Sequence, residues 1–163
     1  MAFTRAVRSQ AKLRVAIQGA SGAGKSTMAL MLAAFFGVRI AGLDSERESM
    51  KLLVGEQGIP DFDHQSLSEH AIGSYLDAIA EAAADGYEVL VIDSVSHSWI
   101  SALERVDQLG GWMKGGKVVR PSVNKLVAAI HNYPGHVIAT IRSKMDYAQE
   151  KDEKTGKTVV RKL

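Results

Sequence analysis

The chain has 163 residues, 46% of them hydrophobic and 23% charged, with a formal net charge of +2 and no cysteine. That is the length of one domain with one sizeable core. The missing cysteines exclude disulfides, zinc–thiolate sites and cysteine nucleophiles. No apolar run reaches the length of a membrane span, so no membrane partner is expected, and the lack of cysteine suits a cytoplasmic protein. The charge is unevenly spread: residues 1–112 hold nine Lys/Arg against fourteen Asp/Glu, and residues 113–163 hold eleven against four. A basic second half can serve a nucleic-acid backbone or simply form a solvated surface.

The first residues carry Arg5, Arg8, Lys12 and Arg14 and no acid. They read as a short exposed arm that could touch a polyanion, without the apolar core of a signal peptide. Residues 13–17 (LRVAI) predict a buried strand, and residues 28–36 (MALMLAAFF) a helix. Between them stands Gly19-Ala20-Ser21-Gly22-Ala23-Gly24-Lys25-Ser26-Thr27. It fits G-x-x-x-x-G-K-[ST] in the strand–loop–helix context that this pattern requires. Glycines let the backbone curl so that several N–H groups point at phosphate oxygens, and the helix start adds its partial positive charge. Lys25 can reach the β- and γ-phosphates, and the Ser26 hydroxyl can ligate Mg²⁺. A nucleotide site is predicted.

Gly37 stops the helix, and residues 38–43 predict a second strand ending in the polar cluster Asp44-Ser45-Glu46-Arg47-Glu48. Ligands of open α/β sheets bind at such strand ends. Residues 49–54 suggest a short helix, and residues 59–65 only a poor strand, interrupted by Pro60. Ser66-Leu67-Ser68-Glu69 has capping-box spacing, and Ile72, Tyr75, Leu76, Ile79 and Ala83 mark one helical face up to Asp85. Residues 87–94 (YEVLVIDS) form an apolar strand closing on Asp93, which suits a Walker B aspartate holding the metal of Mg-ATP.

A helix over 95–109 follows, with Trp99 read as core. Residues 110–117 read as a flexible basic loop, and Pro121 as the start of a helix over 122–132. Residues 136–141 predict a strand. Residues 145–163 predict a charged β-hairpin turning near Lys154 to Lys157. Alternating strands and helices predict a three-layer, mainly parallel α/β fold with helices on both faces. Residues 1–163 are expected to form a single domain, either a minimal core or a fragment, since the sequence ends within a predicted strand.

Asn124-Lys125-Leu126-Val127 begins like the N-K-x-D element that reads guanine but ends in valine inside a predicted helix, which disfavours GTP. Hydrolysis needs a group that orients or deprotonates water; Glu46 is the leading candidate, with Asp44 and Glu48 as rivals. His64, His70, His97, His131 and His136 show no metal-like spacing, and His97 reads as a packing or surface residue.

Taken together these motifs resemble the RecA-like P-loop ATPases, and more narrowly the small phage-encoded RecA-type proteins, some of which anneal single strands. Besides the loop of residues 19–27, Leu43-Asp44-Ser45-Glu46 is similar to the family's catalytic-glutamate segment and Val91-Ile92-Asp93-Ser94 to its Walker B strand. Ala139-Thr140-Ile141-Arg142-Ser143-Lys144 is similar to the approach to its second DNA loop.

The resemblance implies ATP and Mg²⁺ as ligands, Glu46 as the residue that activates water, single-stranded DNA as a partner, and a homo-oligomer. It places a first DNA loop at 110–120, with Trp112, Lys114, Lys117 and Arg120, and a second at 144–157, with Lys144, Tyr147, Lys151, Lys154 and Lys157. Arg142 or Lys144 could reach into a neighbour's nucleotide. Thr140 stands where RecA has a glutamine that senses the γ-phosphate. The alternatives are a small-molecule or nucleotide kinase and a non-hydrolysing, ATP-dependent switch or assembly module.

Overall fold

The computed structural model describes residues 11–143 and the backbone of two further strands, Tyr147–Lys151 and Thr158–Lys162. The elements run in the order β1 (Arg14–Gly19), α1 (Lys25–Ala33), β2 (Ile40–Asp44), a 3-10 turn (Ser49–Leu53), β3 (Asp63–Ser66), α2 (Ile72–Ala84), β4 (Val89–Asp93), α3 (Ser96–Gln108), α4 (Gly115–Asn132) and β5 (His136–Arg142). Five strands form one parallel sheet in the order β1-β5-β4-β2-β3. The last two, β6 (Tyr147–Lys151) and β7 (Thr158–Lys162), pair antiparallel, as the hairpin pattern predicts.

The pleat sorts each strand's residues between two cores. Leu43, Leu90, Ile92, Val137 and Ala139 face α2, α3 and α4, while Ile40, Val89, Val91 and Ile138 face α1. The central strand β4 is buried along its whole length, which is why VLVID reads as a continuous apolar run rather than an alternating one. The predicted three-layer α/β architecture is therefore the observed one. The C-terminal ends of β1, β5, β4 and β2 lie side by side, with Gly19 opposite Arg142 and Asp44 opposite Asp93.

Local expectations fail at four places, each for a tertiary reason. Ser66 does not cap a helix. It ends β3 opposite Asp44, the Leu67 N–H donates to the Asp44 carbonyl at 2.7 Å, and α2 begins at Ile72 without a side-chain cap. The weak segment before it thus becomes the edge strand β3, clear of Pro60.

Pro121 does not open α4; it lies inside it. The helix begins at Gly115 because α3 comes close there: a Cβ on Gly115 would lie 2.4 Å from the Val106 carbonyl oxygen, and one on Gly116 would lie 2.6 Å from the Trp112 ring. Pro121 and Lys117 are both exposed, so water can take the Lys117 carbonyl that the proline leaves without a donor. Of the four glycines in the segment read as a flexible loop, Gly115 marks a close helix crossing, while Gly110 and Gly111 are left-handed turn residues.

Trp99 is not core. The buried face of α3 is Ser98, Ala102 and Val106, and Trp99 stands one position away, 47% exposed. Arg14 is no free arm residue. Its guanidinium donates to the carbonyls of Leu13 (2.8 Å), Gly135 (2.7 Å), His131 (3.0 Å) and Tyr133, tying β1 to the turn before β5. Arg5 and Arg8 lie outside the described residues.

Candidate nucleotide site

The strand–loop–helix unit that the sequence predicts is in place. Gly22 (φ 78°) and Gly24 (φ 74°) take the left-handed conformation that glycine adopts at least cost. With that geometry the loop leaves β1 after Gly19 and enters α1 at Lys25. No side chain caps α1 and its first turn holds no acid, so its leading N–H groups and positive end remain available to an anion. Lys25 is buried, 8% exposed, and its ammonium folds back onto the Ala20 carbonyl at 2.8 Å. A lysine parked on its own loop is poised to exchange a neutral carbonyl for a phosphate oxygen, a stronger partner.

Asp93, at the end of β4, is buried. One carboxylate oxygen accepts a hydrogen bond from the Thr140 hydroxyl, and the other, Oδ2, is buried without a partner. A buried carboxylate oxygen left unsatisfied is costly and calls for a cation or water. Magnesium fits this site: Asp93 would act through the metal's water shell, Ser26 and phosphate oxygens would ligate it, and hexacoordinate Mg²⁺ needs no all-protein cage. Among the described residues no group of three or more His, Asp or Glu forms such a cage.

Thr140, which stands where RecA has its sensing glutamine, is wholly buried and committed to Asp93. Arg142 occupies the exposed strand end two residues on.

The polar segment after β2 is a tight turn. Arg47 (φ 56°) and Glu48 (φ 63°) are both left-handed, a conformation that costs non-glycine residues about 1–3 kcal/mol each. Asp44 holds the turn: Oδ1 accepts the Glu46 N–H at 2.5 Å, Oδ2 accepts the Met50 N–H at 2.8 Å, and His64 Nε2 lies 3.4 Å from Oδ2. Asp44 is therefore a scaffold residue, fully buried with both oxygens engaged, and does not rival Glu46 for water. Glu48 pairs with Lys51 at 2.8 Å on the open surface.

Glu46 projects from the turn into a bidentate pair with Arg142, whose Nε donates to Oε1 at 2.6 Å and whose second nitrogen donates to Oε2. Burial works to raise the Glu46 pKa, but the hydrogen bonds and charge of Arg142 outweigh it and hold the carboxyl below its usual range. The resemblance offers Arg142, or Lys144, a reach into a neighbour's nucleotide. The structure seats it on a carboxylate of its own chain, 96 positions away.

Beside this pair lies a histidine cluster the sequence did not announce. The Ser45 hydroxyl accepts the Ser94 N–H at 3.0 Å and sits 2.9 Å from His97 Nδ1, while His70 stacks on His97 at 4.5 Å and donates from Nε2 to the Ser45 carbonyl. Burial, then the adjacent His70, lowers the His97 pKa, so the ring stays neutral further into acid than a free histidine.

The expected first DNA loop is only partly a loop. Trp112 and Lys114 are exposed in the turn before α4, and Lys117 and Arg120 are exposed on its first two turns. Lys144, Lys154 and Lys157 lie outside the described residues, as do the side chains of Tyr147 and Lys151. Asn124 and Lys125 are exposed on α4, so the N-K-x-D-like stretch is ordinary helix. A cleft of about 630 Å³ opens between the loop's Ser21, the α3 residues Ser96, Trp99, Ile100 and Leu103, and Ile141, Arg142 and Ser143 at the end of β5.

A family model described as an AAA domain matches residues 11–162 of this chain. A 2-phosphoglycerate kinase of Thermococcus kodakarensis is 32% identical over 132 residues, which cover 80% of this chain and 40% of that protein. The chain thus spans less than half the length of that relative. Among the described residues no helix is long and apolar enough to cross a membrane.

Proposed function

This chain belongs to the AAA domain family of P-loop NTPases, and from that premise we propose that it binds Mg-ATP and hydrolyses it. One observation carries the reading. Four strand ends in a row bring the lysine loop, the half-satisfied Asp93 and the ionised Glu46 to one edge of the sheet. Lys25 and the N–H groups at the start of α1 hold the β- and γ-phosphates and stabilise the charge that develops there. Magnesium, held by Ser26 and through water by Asp93, supplies charge neutralisation. Glu46 accepts a proton from water as the water oxygen bonds to the γ-phosphorus and the bond to the β,γ-bridging oxygen breaks, leaving ADP and inorganic phosphate.

The setting that fits best is a RecA-like reaction on single-stranded DNA, in recombination, annealing or repair. Its support is the exposed Trp112, Lys114, Lys117 and Arg120, where an aromatic can stack a base and cations can neutralise phosphates. A homo-oligomer belongs to the same reading.

The kinase relative favours a second reading, transfer of the γ-phosphoryl to a small acid. The cleft at Ser21 is where such an acceptor would sit. However, Val95, Trp99, Ile100, Leu103 and Ile141 give it a largely apolar wall, and among the described residues that line it Arg142 is the single cation. A small, highly charged acid needs more positive charge than that.

Steady-state ATP turnover with and without single-stranded DNA, at two salt concentrations and beside Lys25→Ala, tests this. The expected result is Mg-dependent release of phosphate that DNA raises, with the DNA gain fading as salt rises, and background turnover in the variant. Turnover indifferent to DNA would remove the DNA part. Turnover that needs 2-phosphoglycerate and releases no free phosphate would establish the kinase.

A further inference from the structure

We propose that His70 and His97 are positioning residues for hydrolysis: together they grip Ser45 and so fix where the adjoining Glu46 carboxylate stands against Asp93. This deepens the ATPase reading and rests on it. The phosphate loop, residues 19–27, contributes no hydrogen bond to this cluster among the described residues. The pair therefore governs the chemical step and not the binding of nucleotide.

The need for a grip follows from where the sheet ladder ends. The last register pair of β2 and β4 is Asp44 with Asp93, and one more backbone bond, from the Ser45 N–H to the Asp93 carbonyl at 2.7 Å, continues it. Beyond that point β4 turns away into α3, and Glu46 stands in the turn past the end of β2. Its direction is set by the peptide group before it, which is planar and moves as one piece. That group is held at both ends. His70 Nε2 donates to the Ser45 carbonyl at 3.1 Å, and the Glu46 N–H donates to Asp44 Oδ1 at 2.5 Å. A carbonyl only accepts, so the His70 ring carries a proton on Nε2.

His97 holds the same residue from α3. Its Nδ1 lies 2.9 Å from the Ser45 hydroxyl, which also accepts the Ser94 N–H at 3.0 Å, so this hydroxyl ties the end of β2 to the residue after Asp93. The Ser94 carbonyl is fixed in turn by the Tyr75 hydroxyl of α2 at 2.9 Å. The two imidazoles stack at 4.5 Å with 18° between their planes, so each ring opposes a shift of the other. Ser45 is buried, and a carbonyl or hydroxyl that loses its partner there must move to find another. Any such movement carries Glu46 with it.

An imidazole suits this place better than an ammonium or a guanidinium. Burial keeps His97 neutral, so the grip adds no second full charge beside a carboxylate that already faces Arg142 and must still take a proton. Were the pair only a packing contact between α3 and the loop before α2, truncating it would lower stability and leave turnover of the folded protein unchanged.

The test is steady-state Mg-ATP turnover by folded protein, with kcat and KM read separately. The variants are His97→Ala, His97→Asn, His97→Gln, His70→Ala, His70→Gln, Ser45→Ala, and Ser45→Ala combined with His97→Ala. An asparagine places its amide where Nδ1 stood, and a glutamine where Nε2 stood. His97→Ala should lower kcat about 10- to 100-fold, the scale of a small misplacement, and leave KM within about twofold. His97→Asn should recover most of the loss and His97→Gln little. His70→Ala should lower kcat in the same way, and His70→Gln should recover it. Because His97 acts through the Ser45 hydroxyl, its truncation should cost little more once Ser45→Ala is present.

Equal kcat in folded wild type, His97→Ala and His70→Ala overturns the proposal and leaves the ATPase reading intact. So does a loss in KM instead of kcat, equal recovery by His97→Asn and His97→Gln, or losses that add in the double variant. Wild-type protein that binds Mg-ATP and releases no phosphate overturns both. If an alanine variant does not fold, the contrast between His97→Asn and His97→Gln decides alone.

Discussion

Two glycine-rich stretches of this chain look alike and do opposite work. In the first, Gly22 and Gly24 have positive φ and nothing within 4 Å of where a Cβ would stand; what they supply is backbone direction toward empty space. In the second, Gly115 and Gly116 lie in ordinary helix with the Val106 carbonyl and the Trp112 ring where a side chain would be; what they supply is nearness. Glycine composition alone does not separate conformational need from lack of room. The hydrogen bonds and neighbours of each position do.

The sharpest way to break this contrast is to add one methyl group at each place. Gly115→Ala forces the α3–α4 crossing apart, and overpacking of this kind costs about 1–3 kcal/mol. At about 2–4 °C per kcal/mol the melting temperature should fall by several degrees, with ATP affinity of the folded protein little changed. Gly22→Ala meets no clash but asks an alanine to hold a left-handed conformation at about 1–2 kcal/mol. If the loop escapes by turning out of shape, ATP affinity should drop about tenfold, with a smaller loss of melting temperature. Equal effects of both variants on both readouts would dissolve the distinction.

A comparable effect tests whether the Asp93 end is as rigid as the loop is open. Thr140→Val keeps the volume and removes the hydroxyl that Asp93 accepts, leaving a buried carboxylate with one bond fewer at a cost of about 1–3 kcal/mol. Denaturant midpoints should fall accordingly, and the magnesium concentration needed for half-maximal turnover should rise. An unchanged midpoint would mean the bond is not formed in solution.

The smallest effect is in pH. Glu46 has its pKa held below 4.5 in the folded chain, so its contribution to stability is complete above about 4.5 and is lost as pH falls through the lower folded value. Arg142→Gln removes the cause, and the acid limb of the pH–turnover profile should move upward. Through His97 the sign is the same: the unfolded chain takes a proton near 6.5 that the folded ring refuses, so stability falls as pH drops below that value. His97→Gln should flatten that slope, as equilibrium denaturation at pH 7 and pH 5.5 would show.

Much of the site was legible because its parts are contiguous. Nine consecutive residues specify the phosphate loop, and an apolar run closing on an acid specifies Asp93. Glu46 could be singled out by its distance from a strand end, but not told from Asp44, since both are acids in one polar cluster. What separates them is that Asp44 is buried with both oxygens bonded and Glu46 is not. The stacked pair His70–His97 joins the loop before α2 to α3, segments whose sequences show only isolated histidines, and no spacing rule brings them together. Trp99 fell on the wrong side because the periodicity of α3 is compatible with two neighbouring faces, and the helix chose the smaller residues Ser98 and Ala102.

By itself, then, the amino-acid order determined the alternation of strands and helices, the parallel sheet that alternation implies, the turn of the loop and the anion it suits. These depend on the period of apolar residues, on glycine's freedom and on groups within one or two turns of each other. Tertiary structure alone decided that β5 lies between β1 and β4, that Thr140 is spent on Asp93, that α4 starts at Gly115, and that Arg142 rests on Glu46. Each of these is a contact between segments far apart in the chain, and its energy depends on distances and burial that exist only once the sheet has formed.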